Sequence, residues 1–404
     1  MKMIFIGCYC EESQKDYLFK ITDGHISISA STFQDAVLDG LAKNNYTPVY
    51  IVNLPAIGSF PKRCKKLYIK GGSFEYKSGK GYNCSFINLT YFKRFFCEWS
   101  IRAQLKQIIK KIEKQEDIVI LSYSLMYPLL SPIVKIKKKY TDRKIKVVTI
   151  VPDMPEFIDY PKYVDSLYRL STYIDGFVLL TEQMAEKLNV KKRPYEVMEG
   201  LYRCNQTEKP TPLTNRQKAF FYSGTLDARY GIIQLLEAFT QVRNTSYKLW
   251  ICGSGTPQEI EDINKYVRKD SRIEYLGILK RDEVVDLQKK ASFLVNPRNC
   301  SGEFTKYSFP SKTMEYLASG TPTLMFPLPG APREYFDYVV LFDEKEPHTI
   351  KEIIEKVISS DYSIYEDLGR KAQRFIFDNK TSEKQTKKII KVIESVRGRR
   401  YGEQ

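Results

Sequence analysis

Short apolar runs alternate with helix-length segments along most of this chain. In the first half Met3–Gly7, Pro48–Val52, Lys66–Ile69, Ile118–Ser122, Lys146–Val151 and Gly176–Leu180 read as strands. In the second half Ala219–Tyr222, Lys248–Cys252, Ile273–Leu276 and Phe293–Asn296 read the same way. Helical spacing fills the gaps, as with Phe33, Ala36, Val37, Leu38 and Leu41 behind a start at Ser31 or Thr32. Strand–helix–strand series build parallel sheets whose ligands lie at the carboxyl ends of the strands, so the fold class is α/β. A chain of 404 residues exceeds one typical core. Residues 205–215, with Pro210 and Pro212, read as a linker after Glu199-Gly200. The expected division is therefore 1–205, 216–381 and a terminal segment 382–404 carrying a basic helix over Ser382–Val396. Within the first domain, Gly71–Ser85 reads as a long, mobile loop suited to closing over a substrate.

Other classes are excluded by what the sequence lacks. No run of 18 or more apolar residues occurs, so no spanning helix is expected. The first residues, MKMIFIGCYC, read as a first strand and not as a signal peptide, which suggests a cytoplasmic protein. Eight cysteines are scattered, and Cys8 and Cys10 have no partner pair at metal spacing, so reduced thiols are expected. His25 and His348 are the only histidines, which argues against Ser-His-Asp, Cys-His and multi-histidine metal chemistry. No Asp-x-Asp occurs to clamp a divalent ion, so neither metal nor cofactor is expected. The net charge of +16 calls for anionic partners, either substrates or a membrane surface. Nucleic acid is not expected, because no nucleic-acid-binding motif accompanies the charge.

The richest stretch is Asn296–Pro322, reading NPRNCSGEFTKYSFPSKTMEYLASGTP. It leaves a strand, crosses a polar loop and enters a helix with Ser308 near the N-cap and Pro310 in the first turn. Gly320 suits the position after the helix, and Pro322 stops it. The free N–H groups of Ser311 and Lys312 and the helix dipole favour an anion by roughly 0.3–2 kcal/mol. Arg298 and Lys312 add positive charge, and Glu315 lies one turn deeper, where a carboxylate can accept ribose hydroxyls. Ser223-Gly224-Thr225 and Gly253-Ser254-Gly255 end two other strands, where glycine admits close backbone approach. The stretch reads as a nucleotide diphosphate site, or else as an ordinary capped helix with a surface Lys–Glu pair. Asp153, flanked by Pro152 and Pro155 after a strand, either serves an acceptor or the chemistry, or shapes a turn.

FPSKTMEYLASGTP resembles the signature of the retaining glycosyltransferases of family 4. The resemblance implies a GT-B fold, two Rossmann-like domains with parallel sheets facing across a cleft, and a nucleotide-sugar donor held by the second. Glu315 matches the glutamate that binds the donor ribose, while the first glutamate of the motif is replaced by Tyr307. SGTLDARYGI resembles the family's first donor loop, with Thr225 and Tyr230 in place of its arginine and lysine. Arg298, Lys312 and Arg229 are then the candidate phosphate cations. The implied donor site comprises Ser223, Gly224, Thr225, Arg229, Gly253, Tyr307, Ser308, Phe309, Pro310, Ser311 and Glu315. Arg298, Lys312 and Asp153 carry the implied catalytic roles, with Pro152 in place of a family histidine. The resemblance further implies a saccharide or polyprenyl-linked acceptor, a role in surface polysaccharide assembly, and a terminal helix returning to the first domain. The rival readings are a same-fold epimerase or phosphorylase, and a non-catalytic basic protein binding membranes or nucleic acid.

One helix, Tyr91 to Gln115, combines a core stripe (Ile101, Leu105, Ile108, Ile112) with Arg102, Lys106, Lys110 and Lys114 on an adjoining face. Phe92, Phe95, Phe96 and Trp99 crowd its first turns. It reads either as an interfacial helix lying on the anionic inner face of a membrane or as a half-buried helix whose lysines face water.

Overall fold

The computed structural model describes all residues except 25, 27, 78, 158–160, 204–215, 344–348 and 399–404. The expected linker at 205–215 and both histidines therefore lie outside the described residues. The chain forms two units, Met1–Leu201 with Ser382–Gln404, and Tyr202–Thr381.

In the first unit the strands are β1 (Lys2–Gly7), β2 (Tyr50–Asn53), β3 (Tyr68–Ile69), β4 (Gly72–Tyr76), β5 (Gly79–Asn83), β6 (Phe86–Ile87), β7 (Ile118–Tyr123), β8 (Ile145–Val151), β9 (Gly176–Leu179) and β10 (Tyr195–Val197). Eight of them form one sheet in the order β10-β9-β8-β7-β1-β2-β5-β4. Every pairing in it is parallel except β4 with β5. The central strands β1, β7 and β8 are apolar and buried almost throughout, as a sheet covered on both faces requires. The helix Ser382–Val396 packs in this unit against the helix Ile28–Lys43 and against β8, β9 and β10. A side chain at Gly40 would meet the Ser382 carbonyl at 2.3 Å, so glycine permits that approach. Tyr46 Oη and Glu394 Oε1 hydrogen-bond across the same contact at 3.0 Å.

Several expectations change here. The glycine-rich stretch 71–85 is not a mobile loop. Residues 72–83 include the two strands β4 and β5, and β5 pairs with β2. Its glycines serve close packing: a side chain at Gly79 would strike the Pro48 carbonyl at 2.2 Å, and one at Gly81 the Phe74 ring at 2.2 Å. The strand expected over Lys66–Ile69 is reduced to β3, which pairs with β6 in a separate two-stranded sheet. The helix expected from Ser31 begins at Ile28, and Ser31 Oγ accepts a hydrogen bond from the Cys10 N–H at 2.9 Å. A further helix, Lys15–Ile21, lies between β1 and that helix.

In the second unit β11 (Gln217–Ser223), β12 (Lys248–Cys252), β13 (Ile273–Tyr275), β14 (Ala291–Asn296), β15 (Thr323–Met325) and β16 (Val340–Leu341) form an all-parallel sheet. Its order is β13-β12-β11-β14-β15-β16. Phe220 stacks on Phe293 at 5.1 Å between β11 and β14, beneath Phe239 and Tyr247. The helix Ser311–Ala318 joins β14 to β15 and ends at Gly320, whose φ of +74° is a conformation glycine adopts without strain. Half-buried Arg216 ties this corner together, donating to the Ala291 carbonyl and Thr321 Oγ1 at 2.7 Å each and to the Gly320 carbonyl at 3.2 Å. No helix among the described residues is long and apolar enough to cross a membrane.

Candidate functional site

The carboxyl ends of β11, β12 and β14 approach one another through glycine. Gly224, just beyond β11, has φ +150°, and Gly253, just beyond β12, has φ +149°. A side chain at Gly253 would fall 1.6 Å from the Gly224 carbonyl, so the two turns are in backbone contact. Gly231, at the start of the helix Ile232–Thr240, would in the same way strike the Pro297 carbonyl at 2.0 Å.

Two tyrosines brace that helix against β11. The Ser223 N–H donates to Tyr316 Oη at 2.8 Å, and the Tyr316 hydroxyl lies 3.2 Å from the Ser223 carbonyl. Tyr222 donates to the Thr225 carbonyl at 2.6 Å and accepts from Lys312 Nζ at 3.4 Å. Lys312 Nζ lies 4.5 Å from the Tyr222 ring centre, a cation–π contact. A side chain at Gly224 would come within 1.7 Å of that nitrogen, so glycine makes room for the lysine. Burial pushes the Lys312 ammonium down to about 8, and Arg298 repels it, while Glu315 pulls the other way.

Arg298 is buried, with its guanidinium 4.5 Å from the Phe304 ring centre and 5.7 Å from that of Tyr230. One Nη donates to Ser308 Oγ, whereas Nε meets no hydrogen-bond acceptor among the described residues. Burial lowers its pKa as well. Neither Arg298 nor Lys312 has a carboxylate at ion-pair distance among the described residues. Two sequestered cations thus sit beside the free N–H groups of a helix start, an arrangement that is costly until an anion arrives.

Ser308 is not the helix cap. It ends the short 3-10 helix Glu303–Tyr307, accepts from Arg298 and donates to the Phe304 carbonyl at 2.8 Å. Pro310 itself occupies the N-cap position, with β-region ψ of 111° and no capping side chain; the Thr313 N–H donates to its carbonyl at 2.9 Å, and the Ser311 and Lys312 amides stay open. Tyr307 and Phe309 are buried, and Phe309 packs on Tyr335 at 4.9 Å. Thr225 and Ser311 are exposed, and Ser311 opens the helix. Arg229 is exposed and clamped to Asp227, with Nε 2.9 Å from Oδ2, so its charge is already answered by a carboxylate. Glu315 is exposed on the same helix, and Arg281 approaches it loosely at 3.7 Å. Asp153 lies on the first unit, at the end of β8, exposed and without an ion-pair partner among the described residues. The second unit therefore brings together the phosphate candidates of β11, β14 and the helix start. Tyr222, Tyr316 and Gly231 escaped the sequence reading: two look like ordinary strand and helix apolar positions, and the glycine's partner is 66 residues away. Among the described residues no cluster of His, Cys, Asp and Glu could hold a metal ion.

Comparison with known proteins agrees with this geometry. Residues 205–375 match the family model for glycosyl transferases group 1. No curated protein sequence matches the chain. Among solved structures, one described as trehalose-6-phosphate from E. coli bound with UDP-2-fluoro glucose is similar at a TM-score of 0.67, with 10% identity, over 96% of this chain and 98% of that one. The lipopolysaccharide outer core galactosyltransferase WaaB in its apo form gives 0.64 with 15% identity, over 98% and 99%. Anabaena Alr3699/HepE in complex with UDP and glucose gives 0.62 with 11% identity, over 98% and 100%. The chain thus has the GT-B fold of two Rossmann-like domains, and its second unit carries a glycosyl transferases group 1 domain.

Proposed function

We propose that the protein is a retaining glycosyltransferase of the family 4 type, moving a sugar from a nucleotide-sugar donor to a saccharide or lipid-linked acceptor in surface polysaccharide assembly. The observation that carries this is the pairing of Arg298 and Lys312, sequestered without a carboxylate partner, with the open helix start at Ser311. A donor diphosphate answers both cations and both amides. Each charge-assisted contact of this kind contributes about 1.5–3 kcal/mol. Glu315, one turn further along, accepts the ribose hydroxyls once Arg281 is displaced. Cleavage of the bond between the anomeric carbon and the phosphate oxygen leaves charge on the diphosphate, which Lys312, Arg298 and the amides stabilise without a metal. The acceptor oxygen bonds to the anomeric carbon on the face the diphosphate leaves, and its proton passes to a departing phosphate oxygen. Loss of one such preorganised donor typically costs about 10²–10³ in rate. Asp153 is assigned to the acceptor. We place the enzyme at the cytoplasmic face of a membrane, held there by the helix Lys93–Lys111.

Calorimetry with UDP and GDP tests the donor site. At least one of them is expected to bind the wild type, and Glu315→Ala, an exposed change, to bind it far more weakly with an unaltered melting temperature. Unchanged affinity in the variant removes the ribose role, and absence of binding to either nucleotide by the wild type removes the donor site.

A further inference from the structure

The first unit encloses a cavity of about 570 Å³, and the donor reading leaves it without a role. Its walls are largely apolar, with Leu54, Ile57, Met126, Tyr127 and Leu167 among them. Four cationic side chains also line it: Lys62, Arg63, Lys93 and Arg94. Among the described residues no aspartate or glutamate does. Lys62 and Arg63 are exposed and have no ion-pair partner among the described residues, and Lys93 donates only to the Ile57 carbonyl. The Arg94 guanidinium lies 3.5 Å over the Tyr163 ring.

A second feature adjoins the first. Tyr91 lines the cavity and is 92% exposed. It stands in the turn before the helix Lys93–Lys111, on which Phe95 and Trp99, four residues apart, share one face. Phe95 and Trp99 are 65% and 56% exposed, and Phe92 beside them 58%. Four large aromatics open to water in succession are unusual on a soluble surface and mark a contact with something apolar.

We propose that this cavity binds a long-chain lipid phosphate, its phosphate among Lys62, Arg63 and Lys93 and its chain leaving along Tyr91, Phe95 and Trp99. Charge complementarity fixes the head, since Lys62, Arg63 and Lys93 have no ion-pair partner among the described residues. The apolar walls and the aromatic exit fix the tail, because Leu54, Ile57, Met126 and Leu167 offer a hydrocarbon chain surface that a sugar phosphate would leave unused. That such a lipid is the acceptor rests on the glycosyltransferase reading; that it binds does not.

The test is calorimetry on the full chain with dodecyl phosphate, dodecyltrimethylammonium and glucose 6-phosphate, each below any micellar concentration, and with UDP measured separately. Dodecyl phosphate is expected to bind saturably and roughly tenfold or more tighter than the cationic amphiphile, as opposed charge at such a surface predicts. Lys62→Glu/Arg63→Glu, at exposed positions, is expected to lose that binding while keeping its melting temperature and its affinity for UDP. Equal binding of the two amphiphiles, or an unaffected double variant, overturns the proposal. Saturation by glucose 6-phosphate but not by dodecyl phosphate overturns it in favour of a soluble sugar phosphate. Retained dodecyl phosphate binding without UDP binding overturns the donor site and leaves the cavity assignment standing.

Discussion

Lys312 is the side chain around which the start of the helix Ser311–Ala318 is packed. Its ammonium is held by Tyr222 and by space that only glycine at 224 provides, and burial lowers it to about 8. In the ligand-free protein it is charged below that pH and loses its proton above it. A diphosphate favours the charged form, so nucleotide affinity is expected to be flat below about pH 8 and to fall roughly tenfold per unit above it, until the raised pKa of the complex is reached. For folding the sign is opposite. The depressed pKa means that the unfolded chain holds more protons between about 8 and the ordinary lysine range, so this group adds stability as pH rises through that window and withdraws it as pH falls through 8. Calorimetric titration of UDP from pH 6.5 to 9.5 checks the first statement, with Lys312→Met as the control. A parallel slope in the variant assigns the titration to another group. The grouping of Arg298, Lys312 and Ser311 was legible because a helix start with Pro310 and two nearby cations announces itself locally. Tyr316 was not, since its hydroxyl works across the fold on Ser223 while the residue occupies an apolar helix position.

At the scale of elements, parallel strands were legible and the hairpin was not. β1, β7, β8, β11, β12 and β14 are apolar runs bounded by polar segments, which is the pattern a doubly covered sheet imposes. The sequence of β4 and β5, GSFEYKSGKGYN, offers glycines where β-branched residues normally signal a strand. Its strand character comes from neighbours: β5 pairs with β2 through Tyr50–Lys80 to Asn53–Asn83, and Gly81 gives the Phe74 ring room to lie across it. Gly81→Val therefore overpacks a site with ring carbons 2.2 Å from the new Cβ. Destabilisation of about 1–3 kcal/mol is expected, as for other overpacked sites. A fall in the urea midpoint with an unchanged slope is the expected readout, and nucleotide binding, carried by the other unit, is expected to persist. A midpoint equal to that of the wild type would restore the mobile-loop reading.

For the whole molecule the question is where a net charge of +16 acts. The total was legible from composition, but its placement required the fold. On the helix Lys93–Lys111 one face buries Cys97, Ile101, Leu105, Ile108 and Ile109. The outward side carries Phe95 and Trp99, with Phe92 at the N-cap, and then half-buried Arg102 and Lys106 and exposed Lys110; Lys114 lies beyond the helix end. An aromatic end that enters the headgroup region and a basic end that meets anionic headgroups divide the work of surface binding, each cation contributing about 1 kcal/mol near such a leaflet. Protein is expected to sediment with vesicles containing phosphatidylglycerol, weakly with phosphatidylcholine alone, and to be released by salt as the Debye length shortens. The protein supplies its own reporter. Trp250 is 7% exposed and Trp99 56%, so a blue shift of tryptophan emission on vesicle addition reports Trp99 entering the bilayer interface. Phe95→Ser, which keeps the Trp99 reporter, is expected to weaken the shift, and Phe95→Ser/Trp99→Ser to abolish the sedimentation, both at exposed positions and both leaving UDP affinity intact. Equal partitioning onto neutral and anionic vesicles, or sedimentation indifferent to the double variant, leaves the aromatic stripe without a membrane role and returns these lysines to ordinary solvation.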